Sequence, residues 1–442
     1  MNRERDSMSR IAYVRARQVL DSRGRPTVEV DITTDQGILG RAAVPSGAST
    51  GTSEAWELRD GGAEYAGLGV RRAVDNVNNI IAPRIAGSDA RDQQAIDDLL
   101  IALDGTPQLK SLGANAVLGV SLAVCRAAAH SQHIPLYQWI SELAGLSSLS
   151  LPMPMINILS GGLHAGRGMD VQDFLAVPAS ASTMQDALVM IERVRSAATR
   201  VMEARGLTTL LADEGGLSPG LQNGRAALEL MIESIETAGL IPGVDVVIAI
   251  DVAAHSLWDA ETGLYELARE GRHADSSEMI EIFTSWVDDF PVASIEDALD
   301  EEDWDGWRQL TRRLGDRTNL IGDDFFTTNR ERLSRGIGLG AANGVLVKVN
   351  QNGTLSGTLG VIDAARSAGY VPVISARSGE TEDSFISDLA VGTDAGQIKI
   401  GSLRCSDRLS KYNQLLRISE NASLPFAGMR AYPRYSTPAV PR

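Results

Sequence analysis

The sequence has little cysteine, no long apolar run and no excess of positive charge. Cys125 and Cys405 are the only cysteines in 442 residues, so we expect no disulfide scaffold and a reducing, cytoplasmic location. No apolar run approaches the roughly 20 residues that cross a bilayer, and the first ten residues lack the apolar core of a secretory signal. A net charge of −16 argues against a nucleic-acid surface, which needs clustered basic residues. We therefore expect no membrane segment and no nucleic-acid partner.

Lysine is scarce as well, since Lys110, Lys348, Lys399 and Lys411 are the only ones in the chain. Lys348 and Lys399 lie inside the apolar segments VLVKV and QIKI. A strand lysine usually marks an exposed edge, but apolar flanks on both sides are typical of buried parallel strands. We therefore predict that both lysines face a barrel interior, where a second cation and a metal would lower the pKa of a lysine toward that of a useful base.

The length and the changing pattern of the chain indicate two domains. Residues 1–10 are expected to form a disordered extension, and 11–145 an α+β domain in which a strand meander precedes helices. Residues 146–430 then alternate short apolar runs with amphipathic helices, and 431–442 are expected to form a tail. This alternation predicts an α/β fold, namely a TIM-type β/α barrel behind an N-terminal α+β domain.

Charged residues close the apolar runs of the predicted barrel, at the strand ends where such barrels carry their active sites. Asp251, Glu296 and Asp323 end successive runs. A single aspartate there could equally cap the following helix. Three adjacent carboxylates would repel one another unless a cation joined them, and ligands that are all oxygen suit Mg²⁺.

The chain resembles the enolase family from about Arg17 to Arg417. The matching segments are LDSRGRPTVEV, RAAVPSGASTG, GANAVLGVSLAV, ADEGG, SIED, GDD, LVKVNQNGTLS, SGETED and GQIKIG. The resemblance implies a modified barrel whose second strand runs antiparallel, and a homodimer or a larger even assembly. It also implies two Mg²⁺ ions per active site and 2-phosphoglycerate as the substrate.

The resemblance further implies a role for each matching residue at the metals and the reacting carbon. Asp251, Glu296 and Asp323 match the ligands of the first Mg²⁺, and Ser49 matches a loop residue that holds the second. Lys348 matches the base that removes the C2 proton, and Lys399 matches the lysine that binds the substrate carboxylate.

The remaining matches concern the leaving group and the phosphate. Glu214 matches the acid that assists departure of the C3 hydroxyl, and His164 matches a histidine on a closing loop. Asp173 stands where a carboxylate cooperates with that acid, and Gln172 beside it is assigned to substrate binding. Arg377 and Ser378 match the phosphate-binding pair, to which a guanidinium fork is well suited.

Four departures from the family pattern fall at or near this site. Ala376 replaces a histidine, Asp173 replaces a glutamate, Ser160 replaces an asparagine, and Gly357 replaces a glutamate. The residues that match the metal ligands and both lysines are retained. The changes concern residues near the expected positions of the leaving group and the phosphate. Neutral drift in an ordinary enolase, which dehydrates 2-phosphoglycerate to phosphoenolpyruvate, is one interpretation. An inactive paralogue kept as a binding protein is another.

We favour a third interpretation, an enolase homologue with altered chemistry, because alanine in place of histidine opens space for a second substrate. The pattern resembles that of the carboxyphosphonoenolpyruvate synthases, enolase homologues of phosphonate natural-product pathways. That resemblance implies joining of a CMP-activated phosphonoformate to an enolpyruvyl unit derived from 2-phosphoglycerate. Arg167 and Arg404 are candidate contacts for such a nucleotide, although each alone could be a solvated surface arginine.

Overall fold

The computed structural model describes residues 9–47, 51–421 and 423–435. Its N-terminal part is an antiparallel meander in the order β1-β2-β3, formed by Ile11–Leu20, Pro26–Thr34 and Leu39–Ala43. Five helices follow the meander: α1 Arg71–Asn76, α2 Ala82–Ile85, α3 Gln93–Asp104, α4 Ala114–Ser131 and α5 Leu136–Leu143. The predicted α+β arrangement of this region is confirmed.

Helix α4 is the centre of the N-terminal core because almost every one of its residues is buried. It packs on β2 and β3 at close range, which its small residues permit. A Cβ added at Gly119 would lie 2.7 Å from Val30, and one added at Gly40 would lie 2.2 Å from the Ala123 carbonyl oxygen. Larger side chains at these positions would push the helix off the sheet.

The second part is a closed barrel of eight strands, as predicted. In chain order the barrel strands are β4 Met153–Ser160, β5 Asp173–Val177, β6 Val247–Asp251, β10 Val292–Glu296, β11 Asn319–Gly322, β12 Gly344–Val347, β13 Val371–Ser375 and β14 Gln397–Gly401. A small antiparallel sheet interrupts the series after β6, formed by β7 Trp258–Asp259, β8 Leu264–Leu267 and β9 Arg272–Ala274.

The second barrel strand is reversed. Strand β5 is antiparallel to both β4 and β6, while the other neighbouring pairs in the barrel are parallel. The first residue of β5, Asp173, therefore lies beside Ser160 and Asp251, the last residues of its neighbours. This reversal, which the family resemblance implied, brings Asp173 to the end of the barrel at which the parallel strands finish.

Helices surround the barrel, and most of them begin at a side-chain cap. They are α6 Met184–Ala204, α7 Gly224–Thr237, α8 Ser276–Asp289, α9 Trp304–Leu314, α10 Arg330–Leu339, α11 Val349–Asn352, α12 Leu355–Ser367, α13 Phe385–Gly392 and α14 Ser406–Asn421. At α8, Asp275 and Glu278 form a reciprocal capping box. Such caps satisfy the free backbone N–H groups and fix where each helix begins. None of the helices that the structure describes is both long and apolar enough to cross a membrane.

The barrel interior is apolar and is closed at the end opposite to the active site. Met153, Met155, Leu175, Val247 and Val373 belong to one buried cluster inside the strands, joined by residues from the C-terminal segment. Tyr432 of that segment is buried. The polar residues at the other end of the strands therefore adjoin this packed apolar cluster.

Candidate active site

The strand ends bring the predicted site residues together around one small cavity of about 30 Å³. Nine of them line it: His164, Gln172, Glu214, Asp251, Asp323, Lys348, Arg377, Ser378 and Lys399. Asp173 and Glu296 do not line it but contact residues that do. Ser49 lies outside the described residues. The cavity is this small because the lysine and carboxylate side chains fill its centre.

Two lysines occupy the space between the strand-end carboxylates. The Lys399 Nζ donates to Asp251 Oδ2 at 2.6 Å and to both carboxylate oxygens of Glu296 at 2.8 Å. The Lys348 ammonium pairs with the carboxylate of Asp323. The prediction that both lysines point into the barrel end is thus met, with Lys399 in β14 and Lys348 directly after β12.

The pKa values of both lysines lie above their ordinary range when only the groups of the chain act on them, without the metal that the expectation from the sequence included. Burial is the largest influence and lowers the pKa of Lys348, but the carboxylates of Asp323 and Glu296 together outweigh it and the net shift is upward. Burial opposes the Asp251 and Glu296 carboxylates at Lys399 in the same way, and its pKa is well above ordinary. The expectation counted the neighbouring cations and a metal, whereas the chain itself surrounds each lysine with acids.

The strand-end carboxylates are of the kind that binds a hard cation, but among the described residues Asp251, Glu296 and Asp323 do not form a group whose ligand atoms all lie within 4.8 Å of one another. Asp251, Glu296 and Asp323 are all buried, and each contributes only oxygen. Burial, followed by repulsion from Asp251, raises the pKa of Glu296 well above its ordinary value. This strain is relieved by positive charge, which the lysines now supply and which a divalent cation could supply more strongly. The donor set therefore fits Mg²⁺.

A second acidic group adjoins Asp323. Oxygens of Asp297, Asp323 and Asp324 lie within 4.8 Å of one another and could hold a metal ion. Asp297 has a φ of 44° and accepts the backbone N–H groups of Asp323 and Asp324 at 2.7 and 2.8 Å. Burial, followed by repulsion from Asp323, raises the pKa of Asp324 to about 7.

His164, Asp173 and Glu214 form a third group at the cavity, in which Asp173 lies beside Asp251. The His164 Nδ1 lies 4.0 Å from Asp173 Oδ2 and 3.8 Å from Glu214 Oε1, too far for hydrogen bonds. Burial, followed by the charge of Glu214, raises the pKa of Asp173 well above its ordinary value. Burial is the largest influence on Glu214, but the charges of Arg408, His164 and the two lysines together outweigh it and lower its pKa. The two carboxyl groups of this side are thus shifted in opposite directions, and the family resemblance gives the acid role to Glu214.

Two of the residues that depart from the family pattern, Ser160 and Asp173, are joined by a hydrogen bond. The Ser160 hydroxyl donates to Asp173 Oδ1 at 2.7 Å, and Asn157 Nδ2 donates to the same oxygen at 2.6 Å. Asp173 Oδ2 has no hydrogen-bond partner although the residue is completely buried. The shortened carboxylate is thus held back against β4 by its other oxygen.

The other two departures lie in different places. Ala376 lines the cavity, and its N–H donates to the Lys399 carbonyl oxygen at 2.9 Å. A methyl group therefore stands at the cavity wall where the family pattern has an imidazole. Gly357 lies in the first turn of α12 and does not line the cavity.

Arg377 and Ser378 are fixed by residues that the sequence did not reveal. The Arg377 Nη1 donates to Glu54 Oε2 at 3.0 Å, and both side chains are buried. Arg23 Nη1 donates to Ser378 Oγ at 3.2 Å, while the buried Arg408 binds the carbonyl oxygens of both residues at 2.6 and 2.7 Å. Arg23 lies in the LDSRGRPTVEV segment that resembles the enolase family. That resemblance is the one feature of the sequence that indicated a role for this arginine.

Two family models match the chain. One, described as the N-terminal domain of enolase, matches residues 11–140. The other, described as the C-terminal TIM barrel domain of enolase, matches residues 148–432. Together they cover nearly the whole sequence.

Proposed function

From the premise that the chain belongs to the enolase family, we propose that it is a Mg²⁺-dependent enzyme that abstracts the C2 proton of 2-phosphoglycerate or a close analogue. The observation that carries this proposal is the convergence of Lys348 and Lys399 on three buried strand-end carboxylates, beside Arg377 in the same cavity. We also propose that the enzyme forms a homodimer or a larger even assembly, which a sizing measurement would test.

Lys348 is the proposed base. Its ammonium is held by Asp323 and lies in the cavity, so the neutral amine would face a substrate carbon once that carboxylate binds a cation instead. Asp251, Glu296 and Asp323 would hold Mg²⁺, together with Ser49 for a second ion. The metal supplies positive charge that stabilises the extra negative charge of the deprotonated substrate carboxylate.

The other side chains bind and orient the substrate. Lys399 would release part of its bonding with Asp251 and Glu296 to bind the substrate carboxylate. Arg377 presents a guanidinium fork for the phosphate, with Ser378 and Gln172 as further polar contacts. We assign His164, Asp173 and Glu214 to the side where the C3 hydroxyl would leave, with Glu214 as the acid that assists this departure and Asp173 cooperating with it.

We propose that the second step is the altered one, as in the carboxyphosphonoenolpyruvate synthases, with CMP-activated phosphonoformate as second substrate. Two observations support this proposal. Asp173 is retracted by its bonds to Ser160 and Asn157, and Ala376 places only a methyl group in the cavity wall where the family pattern has an imidazole. A retracted acid assists loss of water poorly, because misplacement by about 1 Å can cost about a hundredfold in rate.

Ordinary dehydration to phosphoenolpyruvate is the second candidate. It is favoured by the presence of His164, Asp173 and Glu214 together at the leaving-group side, with ligand atoms within 4.8 Å of one another. Production of phosphoenolpyruvate at an ordinary enolase rate, followed by absorbance with Mg²⁺ and 2-phosphoglycerate, would decide for this candidate.

Exchange of the C2 proton in deuterated water tests the proposed first step. We expect mass spectrometry to show deuterium uptake into 2-phosphoglycerate, and loss of that uptake in Lys348→Ala. Lys110→Ala is the matched control because Lys110 lies outside the site, over the ring of Trp56. Absence of exchange in the unaltered protein would contradict the proposal and favour a binding protein.

A further inference from the structure

One buried arginine joins the two strand ends that carry the proposed contacts for the substrate phosphate and the substrate carboxylate. The ladder between β13 and β14 ends where the Ala376 N–H donates to the Lys399 carbonyl oxygen at 2.9 Å. One residue further along each strand, the carbonyl oxygens of Arg377 and Ile400 both accept from Arg408 Nη1, at 2.6 and 2.9 Å. The guanidinium thus supplies a shared donor at the place where the ladder has ended.

The other half of the same guanidinium fixes Ser378. Arg408 Nη2 donates to the Ser378 carbonyl oxygen at 2.7 Å, and Arg408 Nε lies 2.8 Å from Asp407 Oδ2 in the first turn of α14. The exposed fraction of Arg408 is 0%, so water cannot replace these donors. Loss of the guanidinium would therefore leave three backbone carbonyl oxygens at the strand ends without this partner.

The same helix also fixes the N–H of Arg377. Glu380 Oε1 accepts that N–H at 2.9 Å, and Glu380 Oε2 lies 3.0 Å from Lys411 Nζ. Lys411 is buried and lies about one turn after Arg408 on α14. Both polar groups of the Arg377 backbone are therefore held from α14, while the Arg377 side chain lines the cavity.

We propose that Arg408 is a positioning residue that sets the separation between the phosphate-binding pair, Arg377 and Ser378, and the carboxylate-binding Lys399. The site would thereby select a phosphate on the carbon next to the substrate carboxylate, as in 2-phosphoglycerate, over one on the following carbon, as in 3-phosphoglycerate. Displacement of a contact by about 1 Å is enough to disturb such a fit. The inference rests on the proposed function for its ligand and deepens it by naming the residue that determines this choice.

Calorimetric titration of the full chain with Mg²⁺ measures this choice, with 2-phosphoglycerate and 3-phosphoglycerate as probes. Lys348→Ala is the background for every variant, so that neither probe is consumed. We expect Arg408→Lys, which keeps the charge but loses the planar fork, to weaken binding of 2-phosphoglycerate by about ten- to a hundredfold. Binding of 3-phosphoglycerate should weaken by less than about threefold, because that isomer does not fit the original spacing.

Arg366→Lys is the matched control, because Arg366 Nη2 also donates to two backbone carbonyl oxygens, those of Thr393 and Asp394, but does not line the cavity. It should lower the free energy of unfolding in urea and leave both affinities unchanged. If Arg408→Lys does not fold, Asp407→Asn takes its place, since it removes the charge that faces Nε and leaves the fork intact. We then expect a loss of about threefold for 2-phosphoglycerate alone.

A selective loss of affinity for 2-phosphoglycerate supports the positioning role. Unchanged affinities in Arg408→Lys overturn it, and so does equal weakening of both probes, which is the result expected if Arg408 only stabilises the fold. Binding of 2-phosphoglycerate without C2 exchange in the unaltered protein would refute only the proposed function. Exchange in the unaltered protein, together with an unselective Arg408→Lys, would refute only the positioning role. Failure of both probes to bind would refute both.

Discussion

Removing the charge of Glu54 should destabilise the protein by several kilocalories per mole and loosen Arg377. The carboxylate receives Arg377 Nη1 at 3.0 Å and Nη2 at 3.4 Å, and it also accepts the Gly51 N–H at 3.1 Å and Gln351 Nε2 at 3.2 Å. Glu54→Gln keeps the size of the side chain but replaces one acceptor by an amide donor. The buried guanidinium would then lose its negative partner.

The magnitude follows from the burial of both partners. Glu54 is 6% exposed and Arg377 is 3% exposed, so water cannot replace the lost charge. Removing one member of a buried ion pair costs about 3–5 kcal/mol. A partly exposed pair in the same segment is Glu57 with Arg59 at 2.7 Å, whose side chains are 22% and 19% exposed, and Glu57→Gln should cost about 1 kcal/mol.

Urea unfolding followed by tryptophan fluorescence measures this difference, provided that the slope of the transition is unchanged. We expect Glu54→Gln to lose about 3 kcal/mol without ligand and less in saturating 2-phosphoglycerate, because the phosphate supplies the missing negative charge to Arg377. A loss no larger than that of the Glu57→Gln control would refute the assignment of Arg377 as a buried cation held by Glu54. An equal loss with and without ligand would refute its role in phosphate binding.

Three further predictions concern the chemistry, the metal and the pH dependence. Ala376→His combined with Asp173→Glu should raise phosphoenolpyruvate formation, measured by absorbance, by about a hundredfold; no gain would place the specificity change elsewhere. Mg²⁺ at a hundred times its dissociation constant should stabilise the protein by about 2.7 kcal/mol in thermal unfolding, and Asp323→Asn should abolish most of that gain. The hydrogen bond that His255 Nδ1 donates to the carboxylate of Asp300 raises the pKa of the half-exposed His255 above its ordinary value. The resulting stabilisation, about 0.5–1 kcal/mol, is fully present below about pH 6.5 and is lost as the pH rises through the raised pKa. Unfolding of His255→Gln and the unaltered protein should therefore differ more at pH 6 than at pH 9, and a difference independent of pH would contradict the pairing.

The barrel and its strand-end residues could be predicted because their signals are local. Buried parallel strands read as short apolar runs, so a lysine such as Lys399 inside one is conspicuous. The partners that fix the site could not be found in this way. Glu54 and Arg377 are 323 residues apart in sequence, and neither segment shows that the other is its neighbour. The ion pair between Lys348 and Asp323 could likewise not be predicted, because the pattern shows which charges are present but not which of them are in contact.

The pairing of Ser160 with Asp173 bears on whether the departures from the family pattern are independent. The two residues are 13 positions apart in sequence and become neighbours only through the antiparallel register of β4 and β5. A shortened, fully buried carboxylate that lost its donors would cost about 1–3 kcal/mol. The Ser160 hydroxyl supplies such a donor at 2.7 Å, so the two changes fit each other. Ser160→Ala should therefore free Asp173 Oδ1 from one of its two donors and shift the pH profile of the second chemical step, whereas exchange at C2, which depends on Lys348, should keep its profile. An unchanged profile for both steps would show that the bond to Ser160 only stabilises the fold.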